Sequence, residues 1–266
     1  MSSKIIKFLK YLNSLPFNFT VKHYYPFGET TASVMDGKFN SPEAWDALRV
    51  SHPHFSITSE RESWVRQCEL GINKDGQDGR LNARAVEIVD LLKANKFTSI
   101  HSVGVGGAAL EYHIKRLCPN IRMTVSEFAP KNVEMLKRVF HECDSVIQFD
   151  LLSKDWSMWG GDEHYCVMMY RVDTSLTDEQ WRDVFQNMYE SQVLNVLYIP
   201  AAFLTLKYLY RRTKSNILCK LLQRDISFAG YFRTKTVFES FWASKYQEHE
   251  LKFCGMNGFL LKRTGS

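Results

Sequence analysis

From residue 80 onward the apolar positions switch repeatedly between helical and strand spacing, which predicts a parallel sheet covered by helices on both faces. Leu81, Ala85, Ile88, Val89 and Leu92 keep a helical period and lead into a short strand over 98–103. A glycine turn at Gly104, Gly106 and Gly107 follows, then a helix over about 108–117 that must stop near Pro119. Residues 121–126 read as a second strand, closed by Glu127. Pro130 suits the first turn of the next helix, whose inner face carries Val133, Leu136 and Phe140. A third strand over 146–149 ends at Asp150.

The run 165–170 is apolar throughout, as expected of a central parallel strand buried on both faces. Thr177 and Gln180 then form a capping box, Asp178 and Glu179 suit the positive helix end, and Trp181, Val184, Phe185, Met188 and Tyr189 make an apolar stripe. Residues 193–199 predict the fifth strand, 201–231 a basic and aromatic insertion, and Phe238, Phe241 and Trp242 a further helix. The runs 250–254 and 258–262, joined through 255–257, predict a terminal hairpin. Residues 1–79 are aromatic-rich, carry Pro16, Pro26, Pro42 and Pro53 and show no βα repeat. They read as a helical cap or lid on a domain spanning 80–266.

At 266 residues the chain is long enough to bury a core without staples. Its six cysteines include no C-x-x-C pair and no nearby histidine at ligand spacing, so neither a zinc site nor a disulfide framework is predicted, and no metal is expected. Reduced thiols suggest a cytoplasmic protein. Lys4, Lys7 and Lys10 interrupt the first apolar stretch, which reads as a short amphipathic helix and not as a secretion signal. The net charge of +5 fits an anionic ligand and falls short of a nucleic-acid footprint. Arg211, Arg212, Lys214 and Lys220 form the one local concentration, after the apolar run 193–206. Asn195 and Pro200 divide that run into a strand and a helix, against a membrane span; a peripheral membrane contact through the basic stretch is a second reading.

The candidate chemistry begins at Ser102-Val103-Gly104-Val105-Gly106-Gly107-Ala108-Ala109, between a strand and a helix, where missing side chains let backbone approach a ligand. The stretch satisfies G-x-G-x-x-G/A with Ala109 last. Glu127 falls 20 residues beyond Gly107, where a carboxylate can accept both hydroxyls of a ribose. The plainer reading is a packing turn and a surface glutamate. The order strand, glycines, helix, acid favours ligand binding.

On these residues the chain resembles the class I S-adenosylmethionine (SAM)-dependent methyltransferases over about 80–263. The resemblance implies a Rossmann-like three-layer α/β sandwich with a seven-stranded, mostly parallel sheet, a C-terminal antiparallel hairpin and SAM as cofactor. It further implies that Gly104, Gly106 and Gly107 meet the methionyl part, that Glu127 with Phe128 meets the ribose, and that Asp150 with Leu151 lies beside the adenine. Ser102 and Tyr170 belong to the same implied site. The terminal run Gly258-Phe259-Leu260-Leu261-Lys262 is similar to the family's reversed last strand. Two positions depart from the family pattern: the usual acid before the first glycine is Ser102, and the usual third glycine is Ala108. Glu111, one helical turn further on, is a candidate to hold the cofactor's amino group; otherwise it reads as an exposed helix residue.

An acid at Asp150 matches an adenine contact in a SAM site, and too little chain follows it to build the second half of a six-strand dinucleotide fold. An NAD(P)-binding oxidoreductase therefore ranks second. A non-catalytic interaction module of the same fold ranks beside it, motivated by Ser102 and Ala108. For the transfer step the segment Tyr170-Arg171-Val172-Asp173 ends the fourth strand, where this fold opens onto the acceptor. Tyr170 or Asp173 would orient or deprotonate an acceptor and Arg171 would pair with an acidic one; the plainer reading is an ordinary polar loop. The segment does not resemble the Asn/Asp-Pro-Pro-aromatic tetrad of base-modifying relatives, so a nucleic-acid acceptor is disfavoured. Among the histidines, which include His23, His52, His54 and His113, the pair in His52-Pro53-His54 is the best candidate base if the cap closes; the plainer reading of a lone cap histidine is structural. Tyr24, Tyr25, Phe27 and Phe55 in the cap, with Tyr208, Tyr210, Tyr231 and Phe232 in the insertion, would enclose a small organic acceptor or else pack the cap on the sheet. The expected activity is methyl transfer to an oxygen or nitrogen of a small-molecule or sugar-like acceptor, with an anionic one among the choices.

Overall fold

A computed structural model describes residues 18–25, 41–51, 58–70, 80–221 and 227–265. Strand β1 (Thr20–Tyr25) and helices α1 (Pro42–Ser51) and α2 (Arg61–Leu70) come first. The alternating part follows as α3 (Leu81–Ala94), β2 (Ser99–Val103), α4 (Ala109–Leu117), β3 (Arg122–Glu127), α5 (Pro130–Val139), β4 (Ser145–Gln148), β5 (Tyr165–Tyr170), α6 (Asp178–Glu190) and β6 (Asn195–Ile199). Helix α7 (Leu206–Leu221), β7 (Ser227–Arg233), α8 (Lys235–Trp242), β8 (Tyr246–Phe253) and β9 (Met256–Arg263) complete the chain.

Seven strands form one sheet in the order β4-β3-β2-β5-β6-β9-β8. The first five are parallel, and β9 runs antiparallel to both β6 and β8. The period-two alternation of each strand divides its side chains between two cores. Ile100, Met123, Val125, Met168 and Leu197 pack with α3 and α4 on one face. Val167, Met169, Val196 and Tyr198 pack with α6 and α8 on the other. Pro130 opens α5, and the Thr177–Gln180 capping box that opens α6 has both of its reciprocal hydrogen bonds. The apolar run 193–206 is divided between β6 and the start of α7, and among the described residues no helix is long and apolar enough to cross a membrane.

The terminal hairpin is longer than its apolar pattern indicates. It begins at Tyr246, through Gln247, Glu248 and His249, because β8 is the sheet edge and an edge strand tolerates polar residues on both faces.

The N-terminal region is not purely helical. Strand β1 pairs antiparallel with β7 in a second, two-stranded sheet, with Thr20 opposite Arg233 and Tyr25 opposite Ser227. Such a ribbon needs a support. Thr20 Oγ1 donates to Asp178 Oδ2 at 2.6 Å, and Arg233 Nε donates to Asp178 Oδ1 at 2.7 Å, so both strands are fastened to the start of α6. Trp64 of α2 is fully buried in the main core, with its ring 5.3 Å from that of Tyr112. Asp46 of α1 accepts the Lys131 N–H at 3.0 Å, capping the exposed donors at the start of α5. Residues 1–17, Phe27, His52, His54 and Phe55 lie outside the described residues.

Candidate active site

The carboxyl ends of β4, β3, β2 and β5 stand side by side, so Asp150, Glu127, the glycine loop and Tyr170 follow one another along one edge of the sheet. Three strand spacings of about 4.8 Å make this edge about 14 Å long. The chain leaves β2 toward β3 and β4, then returns on the other side of β2 as β5, and in open α/β sheets such a reversal creates the ligand crevice.

Gly104 sits at the reversal with φ +68°, and a Cβ there would lie 2.7 Å from Val172 Cγ1, so only glycine lets the loops after β2 and β5 meet. Gly106 also has positive φ, at +58°. Ala108 caps α4 in the same left-handed region, φ +56°, at a cost of about 1–2 kcal/mol that the family's usual glycine would avoid.

Surrounding side chains fix this loop. Glu127 Oε2 accepts the Gly106 N–H at 2.7 Å, Asn132 Nδ2 donates to Gly106 O at 3.0 Å, and Trp64 Nε1 donates to Gly107 O at 2.9 Å. The Gly104 N–H is given to Ser126 O. Glu127 is only 6% exposed, so its carboxylate faces the loop and not bulk solvent. Phe128 is half-buried beside it.

Behind the loop lies a second acid. Ser102 Oγ donates to Glu111 Oε1 at 2.7 Å, and both residues are buried, which corrects the reading of Glu111 as an exposed helix residue. Burial pushes its carboxyl up to about 7; the Ser102 hydrogen bond opposes the shift and the Glu127 charge adds to it. The serine that breaks the family pattern is therefore bonded to an acid arriving from α4.

Asp150 is exposed, with Oδ1 accepting the Leu152 N–H at 2.8 Å, and Leu151 is half-buried beside it. Tyr170 is half-buried, and its hydroxyl accepts from Arg84 Nη1 at 2.8 Å. Arg171 is exposed in the left-handed region with φ +59°, its backbone N–H held by Ile199 O at 2.8 Å.

Asp173 does not stand where an acceptor-binding residue must. It is fully buried, and its Oδ1 accepts the Ala201 N–H at 2.7 Å, tying the loop after β5 to the loop after β6. Burial raises its carboxyl to about 6. With Oδ1 committed to the Ala201 N–H and the carboxyl enclosed between the two loops, Asp173 serves to tie those loops together, and its role as an acceptor base is withdrawn. His113 Nε2 lies 3.0 Å from Cys68 O in the core, which is a structural place. Arg84, Asn132 and Trp64 carry no motif signal, and only the folded chain reveals their contacts with the loop and Tyr170.

No family model and no curated protein matches the chain. Solved structures do. TnmH aligns at a TM-score of 0.55 and 12% identity, covering 88% of this chain and 65% of its own. Human N-acetylserotonin methyltransferase in complex with SAM aligns at 0.53 and 17%, covering 90% of this chain, which spans only 60% of that enzyme's length. PigF with SAH aligns at 0.51 and 12%, with 83% of this chain and 69% of that one. At these identities the likeness is one of architecture, and it agrees with the strand order, the reversed last strand and the glycine loop described above: the chain has the fold of the class I SAM-dependent methyltransferases.

Proposed function

We propose that this chain is a SAM-dependent methyltransferase acting on an oxygen or nitrogen of a small-molecule or sugar-like acceptor, with anionic ones among them. The observation that carries the reading is the placement of the glycine loop, Glu127 and Asp150 on three adjacent strands, in the order of the methionyl, ribose and adenine parts of one extended ligand. In this reading the backbone at Gly104, Gly106 and Gly107 meets the methionyl part, Glu127 with Phe128 receives the ribose, and Asp150 with Leu151 borders the adenine. The donor set fits: a loop too tight for a Cβ at Gly104, one buried acid facing it and a second acid beneath it. The TnmH, PigF and N-acetylserotonin methyltransferase folds support the same reading, the last two solved with SAH or SAM.

SAM brings a methyl group on a sulfonium, a leaving group already activated, so the chain's contribution is chiefly positioning. Tyr170, held by Arg84, borders the transfer position, and Arg171 is the exposed cation that pairs with an anionic acceptor. Tyr208 and Phe232, with rings 4.8 Å apart, supply part of an apolar wall. Residues 80–266 form the catalytic domain, with the preceding segment as its cap. Buried thiols at Cys68 and Cys166, each pushed up to about 12 by burial, suit a reducing compartment such as the cytoplasm.

Glu111 takes the place of the missing acid at Ser102. Its carboxylate receives the cofactor's ammonium, and Ser102 positions it. Because the carboxyl holds its proton up to about 7, it must release that proton to receive a cation. Affinity for SAM therefore rises with pH, by about eightfold between pH 6 and pH 7.5 if the titrating group lies near 7. Calorimetric titration at the two pH values tests this. Wild type is expected to bind more tightly at pH 7.5 and Glu111→Gln to bind weakly with little pH dependence. A wild-type affinity that falls with pH, or a Glu111→Gln variant with unchanged affinity, contradicts the assignment.

A further inference from the structure

Helix α7 has 16 residues and carries Lys207, Arg211, Arg212, Lys214 and Lys220 with no acidic residue. The whole chain has 34 basic and 29 acidic residues, so removing these five leaves 29 of each. The net charge of the protein is thus the charge of this one helix. The same helix exposes large apolar side chains: Leu209 is 41% exposed, Tyr210 72%, Ile217 54% and Leu221 75%. At 100° per residue, Tyr210, Ile217 and Leu221 fall within about 40° of one another, whereas Leu209 lies about 100° round the helix from Tyr210 and outside the stripe. Lys214 and Lys207 border this stripe and are also exposed. In the opposite direction Tyr208 packs against Phe232, so the stripe faces away from the body of the protein.

An apolar stripe that remains in solvent is unfavourable unless something covers it. Two occupants compete: a second copy of the chain and a lipid surface. A two-fold contact through this stripe would bring two helices of five positive charges each against one another, and like charges facing across an interface repel. An anionic bilayer surface offers the opposite charge at the headgroups and an apolar layer just beneath, which is the arrangement the helix presents. We propose that α7 is a docking surface for membranes rich in anionic phospholipid, lying in the plane of the interface with Tyr210, Ile217 and Leu221 inserted and the lysines at the headgroups. Helix α7 supplies the contact whatever the crevice of the main sheet binds, so this assignment stands independently of the transferase reading.

The test is sedimentation of the full chain with vesicles of phosphatidylcholine alone and of phosphatidylcholine containing about 30% phosphatidylserine. Binding is expected only to the second kind and is expected to weaken steeply between about 0.1 and 0.5 M salt. Lys207→Ala with Lys214→Ala should weaken it about twenty-five-fold, at about fivefold per lysine. Ile217→Ser with Leu221→Ser should also weaken it while circular dichroism and melting stay unchanged, since both side chains are exposed. No binding to either vesicle, equal binding to both, or undiminished binding of the lysine variant would overturn the assignment. So would a dimer in sedimentation equilibrium that the Ile217→Ser, Leu221→Ser variant dissolves, which would give the stripe to a second copy.

Discussion

Arg233→Ala is expected to lower the unfolding free energy by about 3–5 kcal/mol, the usual consequence of removing one member of a buried ionic network. Arg233 has no exposed surface. Its Nε donates to Asp178 Oδ1 at 2.7 Å, one terminal nitrogen donates to Asp173 O at 2.6 Å, and the other donates to Leu176 O. The rings of Tyr231, Phe238 and Phe241 surround the guanidinium with centroids 5.4, 5.9 and 5.7 Å away. Alanine would take the guanidinium donor from the buried Leu176 carbonyl, leave Asp173 O with the Trp181 indole N–H alone and open a void among three rings, and the β1–β7 ribbon would keep only the Thr20–Asp178 hydrogen bond to the start of α6. Lysine would keep the charge and lose the fork, so Arg233→Lys should fall between wild type and alanine. Urea unfolding of the three proteins decides the matter, and a loss below about 1 kcal/mol for the alanine variant would show that this network is not what holds the ribbon.

Glu127→Ala should weaken SAM binding by about 1–3 kcal/mol, roughly 5- to 150-fold, since on the proposed reading it removes the ribose acceptor, a carboxylate on a residue only 6% exposed. It also leaves the Gly106 N–H, now bonded to Oε2 at 2.7 Å, without its partner. Glu127→Gln separates the two effects. A glutamine oxygen can still accept from Gly106, while the amide can no longer accept both ribose hydroxyls. The account expects Glu127→Gln to melt close to wild type and to bind SAM weakly. Wild-type affinity in both variants would take Glu127 out of the site.

What could be read from the sequence was what depends on local order. The parallel strands announce themselves as short apolar runs, the capping box of α6 as Thr177 and Gln180, and the crevice as glycines between a strand and a helix with acids closing the next two strands. What escaped the sequence depends on contacts between distant segments. The β1–β7 ribbon joins residues such as Phe19 and Thr234, which are 215 positions apart, and nothing in the pattern of either strand points to the other. Glu111 reads as exposed because a glutamate on a helix ordinarily faces water. The whole stretch from Leu110 to Lys115 is in fact buried, since α2 covers the side of α4 that a surface helix would leave to water. Asp173 looked catalytic from its place after a strand, yet the buried side of that loop claims it through Ala201. Ser102 looked like the loss of a function. Its hydroxyl donates to Glu111, an acid carried on a different element, and that contact between separate segments is what supports the proposed substitution.

The crevice along the ends of β4, β3, β2 and β5 is the proposed SAM site. Calorimetric titration of the purified chain with SAM and with S-adenosylhomocysteine, alongside NAD and NADP, tests it most directly. The account predicts saturable one-to-one binding of the first two and none of the dinucleotides; binding of NAD or NADP in their place, or of no ligand at all, would contradict it.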